Sequence, residues 1–138
     1  LQAAPAERVR GKIVYITTAM PRTMDGSGYG VFGAPRRQGP TIASQKGAIA
    51  LVIRSVGTDW HRNPHTGVMR FAEGVSPIPA GALSNPDADQ IERILKRASG
   101  PVRLRLVLES RQLGPQPSGN VIAEVPGRDP LAAPVVVS

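Results

Sequence analysis

The sequence predicts a small mixed α/β domain, and three observations predict it. Short β-branched runs alternate with stretches of helical period in the order strand, helix, strand, strand, helix, strand. The run Ala48–Arg54 is apolar almost throughout, as in a strand covered on both faces. The aromatic fraction is only 4% against a hydrophobic fraction of 41%, so the core must be built from Val, Ile, Leu and Ala. At 138 residues, with 15 Gly and 14 Pro, the chain amounts to one turn-rich domain, or one domain plus part of another.

Each element has its own local signal. Leu1–Glu7 is rich in Ala, Leu, Gln and Glu and reads as the end of a helix. Gly11 breaks it, and Ile13–Ile16 follows as a β-branched strand. Thr18–Pro40 is polar and glycine-bearing and reads as a long loop. Thr41–Lys46 reads as a short helix closed by Gly47, the residue type that takes a left-handed conformation at a helix end. The buried strand Ala48–Arg54 comes next, then a second long loop, Val56–Pro77, of a length that marks function or mobility.

Ile78–Leu83 reads as a short strand limited by Pro77 and Pro79. Asn85 or Asp87 is expected to cap the following helix, with Pro86 in its first turn. Along that helix Ile91, Ile94, Leu95 and Ala98 recur at helical spacing and are expected to face the core. Glu92, Arg93, Lys96 and Arg97 are expected to face water. Val102–Glu109 alternates apolar and polar residues and predicts a half-exposed strand. The domain is expected to end at residue 111. Residues 112–138 are expected to form a Pro/Gly linker and two further strands, Asn120–Val125 and Ala133–Ser138, the second cut off within an apolar run that lacks its neighbours.

Composition excludes several function classes. With no cysteine there is no disulfide, thiolate zinc site or cysteine nucleophile. No apolar run approaches the ~20 residues of a membrane span, and no signal-peptide pattern opens the chain, so export is not readable from these residues in either direction. The net charge of +7 is spread along the whole length without a run, a base-stacking aromatic set or a nucleic-acid motif, so neither nucleic acid nor membrane is expected as a partner.

Catalytic constellations are equally absent. Gly28–Gly33 matches G-x-G-x-x-G, but the preceding strand ends well upstream and Ala34–Arg37 makes a poor helix start, so a flexible loop is the better reading. His61 and His65 are four apart, yet Asn63–Pro64 between them disfavours the helix that would put both imidazoles on one zinc. Asp87 and Asp89 suit a helix start without any chemistry. Ser44, Ser55 and Ser84 lack a nucleophile elbow. No catalytic residue, metal ligand or cofactor site is therefore expected in this chain, and it is not expected to be an enzyme by itself. The loop residues Tyr29, Phe32, Trp60, His61 and His65 stand as candidate contacts to a substrate or partner, with packing back over the sheet as the alternative.

Several segments together carry a family likeness: Gly11–Tyr15, Gly47–Ala48 leading into Leu51–Val56, Pro64–Gly67, and Ile78–Leu83 before a helix. They resemble a protease-associated domain, and more closely the protease-associated insert of the carboxypeptidase Q-like zinc peptidases. The resemblance implies the swivelling β/β/α fold, a mixed sheet with flanking helices, followed by the first strands of a peptidase catalytic domain. It implies zinc in that parent catalytic domain but none here, with no family zinc ligand or general base falling on this chain. It also implies a periplasmic or secreted enzyme, with its own catalytic domain and its peptide substrate as partners and a homo-oligomer left open. The function expected is to shape substrate access or subunit contacts, with a free-standing peptide- or protein-binding module as the alternative.

Overall fold

A computed structural model describes residues 1–65, 67–111, 113–129 and 132–136. The chain divides into two units, Leu1–Leu108 and Glu109–Ser138. All the regular structure lies in the first. Its elements run α1 (Ala6–Val9), β1 (Ile13–Ile16), α2 (Gly28–Phe32), α3 (Ala34–Gln45), β2 (Ala50–Arg54), β3 (Ala80–Leu83) and α4 (Asn85–Arg97). The α/β class read from the sequence is the class observed.

The three strands form one sheet in the order β1-β2-β3. Val14 pairs with Leu51, and Ile53 with Ala82; both ladders are parallel, where the resemblance implied a mixed sheet. Central β2 is buried at all five positions, which explains its near-continuous apolar sequence. The two outer strands are half-buried throughout.

Strand alternation gives the sheet two different faces. On one, Leu51 and Ile53 join Val9, Ala43 and Ala48 in the core, with Val14, Ile16, Ala80 and Ala82 packed against them. Helix α3 covers this face. It is longer than expected and begins where a poor helix start was read, because Pro35 sits in the first turn, where its missing N–H costs nothing. It also runs through Gly39–Pro40, a pair that reads as a break. A Cβ on Gly39 would stand 3.1 Å from Leu51 Cδ2 and 3.4 Å from Ile16 Cδ1, so glycine lets the helix backbone approach the sheet. Pro40 is fully buried against the sheet. Helix α3 ends in a Schellman arrangement: the Ala48 N–H donates to Ala43 O (3.0 Å) and the Gly47 N–H to Ser44 O (2.8 Å). Gly47 takes the left-handed φ of 77° that this ending needs, as its position predicts.

On the other face lies α4, capped by Ser84 rather than Asn85 or Asp87. The Asp87 N–H donates to Ser84 Oγ at 3.3 Å, and Ser84 Oγ donates back to the Asp87 carboxylate at 2.6 Å. The stripe α4 buries is also not the expected one. Asn85 and Ala88 are buried, and Asp89 and Glu92 continue that face toward the sheet, whereas Ile94, Leu95 and Ala98 are exposed. Glu92, expected in water, is instead bonded to Tyr15 and Arg54.

The β2–β3 crossover, residues 55–79, carries no helix or strand among its described residues, although parallel strands are usually joined through a helix. Side-chain hydroxyls hold it down. Ser55 Oγ accepts from the His65 N–H (2.8 Å), Thr41 Oγ1 accepts from the Ala72 N–H (3.1 Å), and Ser44 Oγ donates to Ser76 O (2.6 Å).

Two strand expectations fail. Val102–Glu109 forms no strand, and Leu108 instead reaches to 3.8 Å from where a Cβ on Gly81 would sit. Residues 120–129 and 132–136 are likewise without strand. Alternating apolarity marks a face, but a strand exists only against a hydrogen-bonded neighbour, and neither segment has one among the described residues. The ends of the two terminal runs, including Val137 and Ser138, lie outside the described residues.

Candidate functional site

The fold gathers three side chains from three separate places. Tyr29 comes from α2, Arg36 from the first turns of α3, and His65 from the crossover loop. The Tyr29 hydroxyl lies 2.6 Å from His65 Nε2, and Arg36 Nη1 donates to the same hydroxyl at 3.0 Å. The hydroxyl thus sits between a guanidinium donor and an imidazole nitrogen, whose role is set by the ring's tautomer. The rings meet edge to face with centroids 5.6 Å apart, and the guanidinium carbon stands 5.5 Å from the Tyr29 centroid.

Local sequence explains how this cluster is built. Helix α2 is the first part of the G-x-G-x-x-G stretch, which is helical rather than a flexible loop, and its glycines leave room for neighbours. A Cβ on Gly33 would stand 2.5 Å from Arg37 Nη1, whose Nη2 donates to Gly30 O at 2.7 Å. Gly67 plays the same part in the crossover loop: a Cβ there would stand 2.7 Å from Arg36 Nη1 and 2.8 Å from its Cζ. Glycine backbone is thus laid directly on the guanidinium, a close approach no other residue allows.

Below the cluster is a cleft of about 180 Å³ between α3, the β2–β3 half of the sheet and the crossover loop. Leu51, Ile53, Ala80, Ala82 and Met69 line it, with Arg36 and His65 among its walls and no carboxylate among the described lining residues. Arg36 Nε is buried without a hydrogen-bond partner, as is Arg54 Nε on the other face of the sheet.

The other expected contact residues lie apart from this group. Phe32, the last residue of α2, is half-buried, with one ring carbon 3.4 Å from where a Cβ on Gly28 would sit. Trp60 is 69% exposed. His61 Nδ1 accepts from the Asn63 N–H at 3.2 Å, and its Nε2 lies 3.9 Å from Asp59. His61 and His65 share only a crevice of about 10 Å³. These groups do not fit a zinc site, since His65 Nε2 faces a phenol and His61 faces backbone and a single distant carboxylate. Among the described residues, no three His, Asp or Glu side chains stand together as metal ligands would.

A second polar cluster lies across the sheet. Arg54, 8% exposed at the end of β2, donates through Nη2 to Asp89 (2.5 Å) and Glu92 (2.7 Å), and through Nη1 to Asn85 Oδ1 (3.4 Å). The Tyr15 hydroxyl donates to Glu92 at 3.1 Å. Burial, then the hydrogen bond to Glu92 and its charge, push the Tyr15 hydroxyl up to about 12. Burial works against the Arg54 charge, but hydrogen bonds to Glu92 and Asp89 lift it above its ordinary value. The Arg54 hydrogen bond holds the Glu92 carboxyl below the usual carboxylate range. With every charge paired, this cluster fastens α4 to the sheet rather than presenting reactive groups.

Sequence reasoning named Tyr29 and His65 but missed Arg36, because the three are joined by tertiary structure and Arg36 sits where a loop was read. It also missed Arg54, for which a signal existed. An arginine extending a fully apolar run demands a buried counter-charge, and Asp89 and Glu92, three apart on the next helix, can supply it.

Comparison with known proteins agrees on one relationship. Mouse carboxypeptidase Q is 31% identical over 122 residues, covering 88% of this chain and 24% of that protein. The human carboxypeptidase Q is 32% identical over 92 residues, covering 67% of this chain and 19% of that protein. The crystal structure of a peptidase M28 precursor from Shewanella amazonensis matches with a TM-score of 0.67 and 49% identity, over 70% of this chain and 22% of that one. This is a peptidase-related chain. It spans about a quarter of the length of the curated relatives it matches. No known family profile matches this peptidase-related sequence. None of its helices among the described residues is long and apolar enough to cross a membrane.

Proposed function

We propose that the chain is a non-catalytic protease-associated domain of an exported, zinc-dependent metallopeptidase, where it shapes substrate access or subunit contacts. One observation carries the reading: the match takes in most of this chain but only about a quarter of each peptidase. Two features of the structure support a contact role. The Tyr29–Arg36–His65 cluster and Trp60 present aromatic and cationic groups on loops and short helices, the kind of surface that makes specific contacts. Ile94 and Leu95 are apolar and 40% and 46% exposed on α4, a face suited to the peptidase catalytic domain or a second copy. No nucleic-acid or membrane role is proposed, since the cationic side chains are spread along the chain without a run or a nucleic-acid motif.

The test is made in the intact peptidase that carries this chain. Combined Tyr29→Ala and Trp60→Ala is expected to change kcat/KM on short peptides several-fold, or to shift the assembly state in sedimentation. Unchanged kcat/KM together with unchanged assembly overturns the proposal. The apolar cleft favours a second reading, a peptide-binding module acting alone, and saturable peptide binding by the isolated 138-residue chain is its signature.

A further inference from the structure

We propose that the cleft beside Arg36 is a binding site for a small carboxylate bearing a branched aliphatic group, such as an N-acylated leucine or the C-terminal residue of a peptide. The inference rests on the reading of this surface as a contact surface and names the ligand it takes.

Its floor and walls fix the apolar part. Leu51 and Ile53 of β2, Ala80 and Ala82 of β3 and Met69 of the loop enclose about 180 Å³, room for one aliphatic side chain but not for an extended segment. The alanines on β3 create this space; a larger residue at either position would fill it. Such a slot favours a ligand in proportion to the apolar area it takes from water.

Its charge fixes the polar part. Arg36 spends Nη1 on the Tyr29 hydroxyl, while Nε is buried without a partner. A buried N–H without an acceptor destabilises the fold that holds it, and an incoming acceptor relieves that cost. A carboxylate is the acceptor whose two oxygens match the Nε–Nη2 edge of a guanidinium. No carboxylate of the chain competes for that edge among the described lining residues, in contrast to Arg54, which holds two. Gly67, pressed against the guanidinium, is the element that shifts to admit the ligand; as glycine in a loop it does so with no side chain to move. Tyr29 and His65 then hold Arg36 in place from the solvent side.

The test is binding to the full 138-residue chain, followed by amide shifts in two-dimensional NMR. N-acetyl-L-leucine is expected to bind saturably, with the largest shifts at Gly67, Met69, Ala80 and Ala82. The neutral N-acetyl-L-leucinamide is expected to bind at least tenfold more weakly, as is acetate, which has the head without the body. Arg36→Gln is expected to abolish the difference between acid and amide. Ala82→Leu leaves the guanidinium in place, fills the slot and is expected to abolish binding; it decides the matter if the Arg36 variant fails to fold. Equal affinity for acid and amide, equal affinity for acetate, shifts centred elsewhere, or no saturable shift overturns the ligand assignment. Because this readout involves no catalysis, its failure is separate from failure of the peptidase role, which the kcat/KM and assembly measurements decide.

Discussion

Two arginines lie against opposite faces of the same small sheet in opposite circumstances. Arg54 is met by the carboxylates of Asp89 and Glu92, with Asn85 and Tyr15 bonded around them, and the two arginines share a buried Nε without a partner, so what separates them is the counter-charge. Arg36 is met by a phenol, the face of its ring and a bare glycine, with no carboxylate among the described residues. The first arrangement neutralises a buried charge within the chain and so belongs to the fold. The second leaves the guanidinium without a carboxylate among the described residues, beside an apolar cleft, and the proposed ligand site rests on that arrangement. The difference teaches where to look: internal pairing marks structure, and its absence marks a site.

The comparison can be broken most directly at Arg54. Arg54→Ala removes the cation and leaves two carboxylates facing each other under α4, each less than a third exposed. Breaking a buried pair in this way typically costs about 3–5 kcal/mol. The expected loss is about 3 kcal/mol, read as a lower urea midpoint with an unchanged m-value. A loss below about 1 kcal/mol would mean that α4 is held by other contacts and that the two arginines are not so different.

Glu92 sharpens the same point through pH. Its folded-state carboxyl titrates below the ordinary value because of its hydrogen bond from Arg54. The stability it contributes is therefore fully present above the ordinary carboxylate range and is lost as pH falls through the lowered folded value. Glu92→Gln is expected to cost about 1–2 kcal/mol at neutral pH and to flatten the acid limb of the stability profile. An acid limb of unchanged slope in that variant would assign the proton uptake to another group.

How much of this was legible beforehand depends on the range over which each residue acts. The β2 strand is a buried apolar run, and Gly47 is a helix-ending glycine; both signals sit within a few residues and both read correctly. Helix α3 was misread because Pro35 and Gly39–Pro40 are breakers locally, while the structure uses one as a first-turn residue and the other pair for close packing on Leu51 and Ile16. Helix α4 was found, but turned the wrong way. Its apolar stripe is the obvious core face, yet the face that meets the sheet is Asn85, Ala88, Asp89 and Glu92, because Arg54 and Tyr15 demand it. The candidate site was legible only in part for the same reason: Tyr29 and His65 are 36 residues apart and Arg36 falls between them, so no window holds all three.

At the alkaline end Tyr15 gives a smaller effect of opposite sign. Its hydroxyl is pushed up to about 12 by burial, by the hydrogen bond to Glu92 and by that carboxylate's charge. A raised value means the folded state keeps its proton longer, so this contribution is whole below the ordinary value of 10.0 and fades as pH climbs through about 12. Tyr15→Phe is expected to remove that part of the alkaline loss of stability, seen by circular dichroism between those two values. A profile identical to that of the native chain would show that Tyr15 is not the group whose titration weakens the fold there.

The smallest expected effect is the one that decides the comparison. Arg36→Met removes a cation that has no counter-ion among the described residues, keeps most of the stem's bulk, and takes away a buried N–H that has no acceptor. What is lost is one hydrogen bond to Tyr29 and one cation–π contact, worth together about 1–2 kcal/mol. What is recovered is the cost of the unpaired donor, of similar size. The two nearly cancel, so the urea midpoint is expected to stay within about 0.5 kcal/mol of the native chain, while carboxylate binding disappears. A loss matching that of Arg54→Ala would instead make Arg36 a structural residue like its counterpart, and the cleft would lose the group that gives it its specificity.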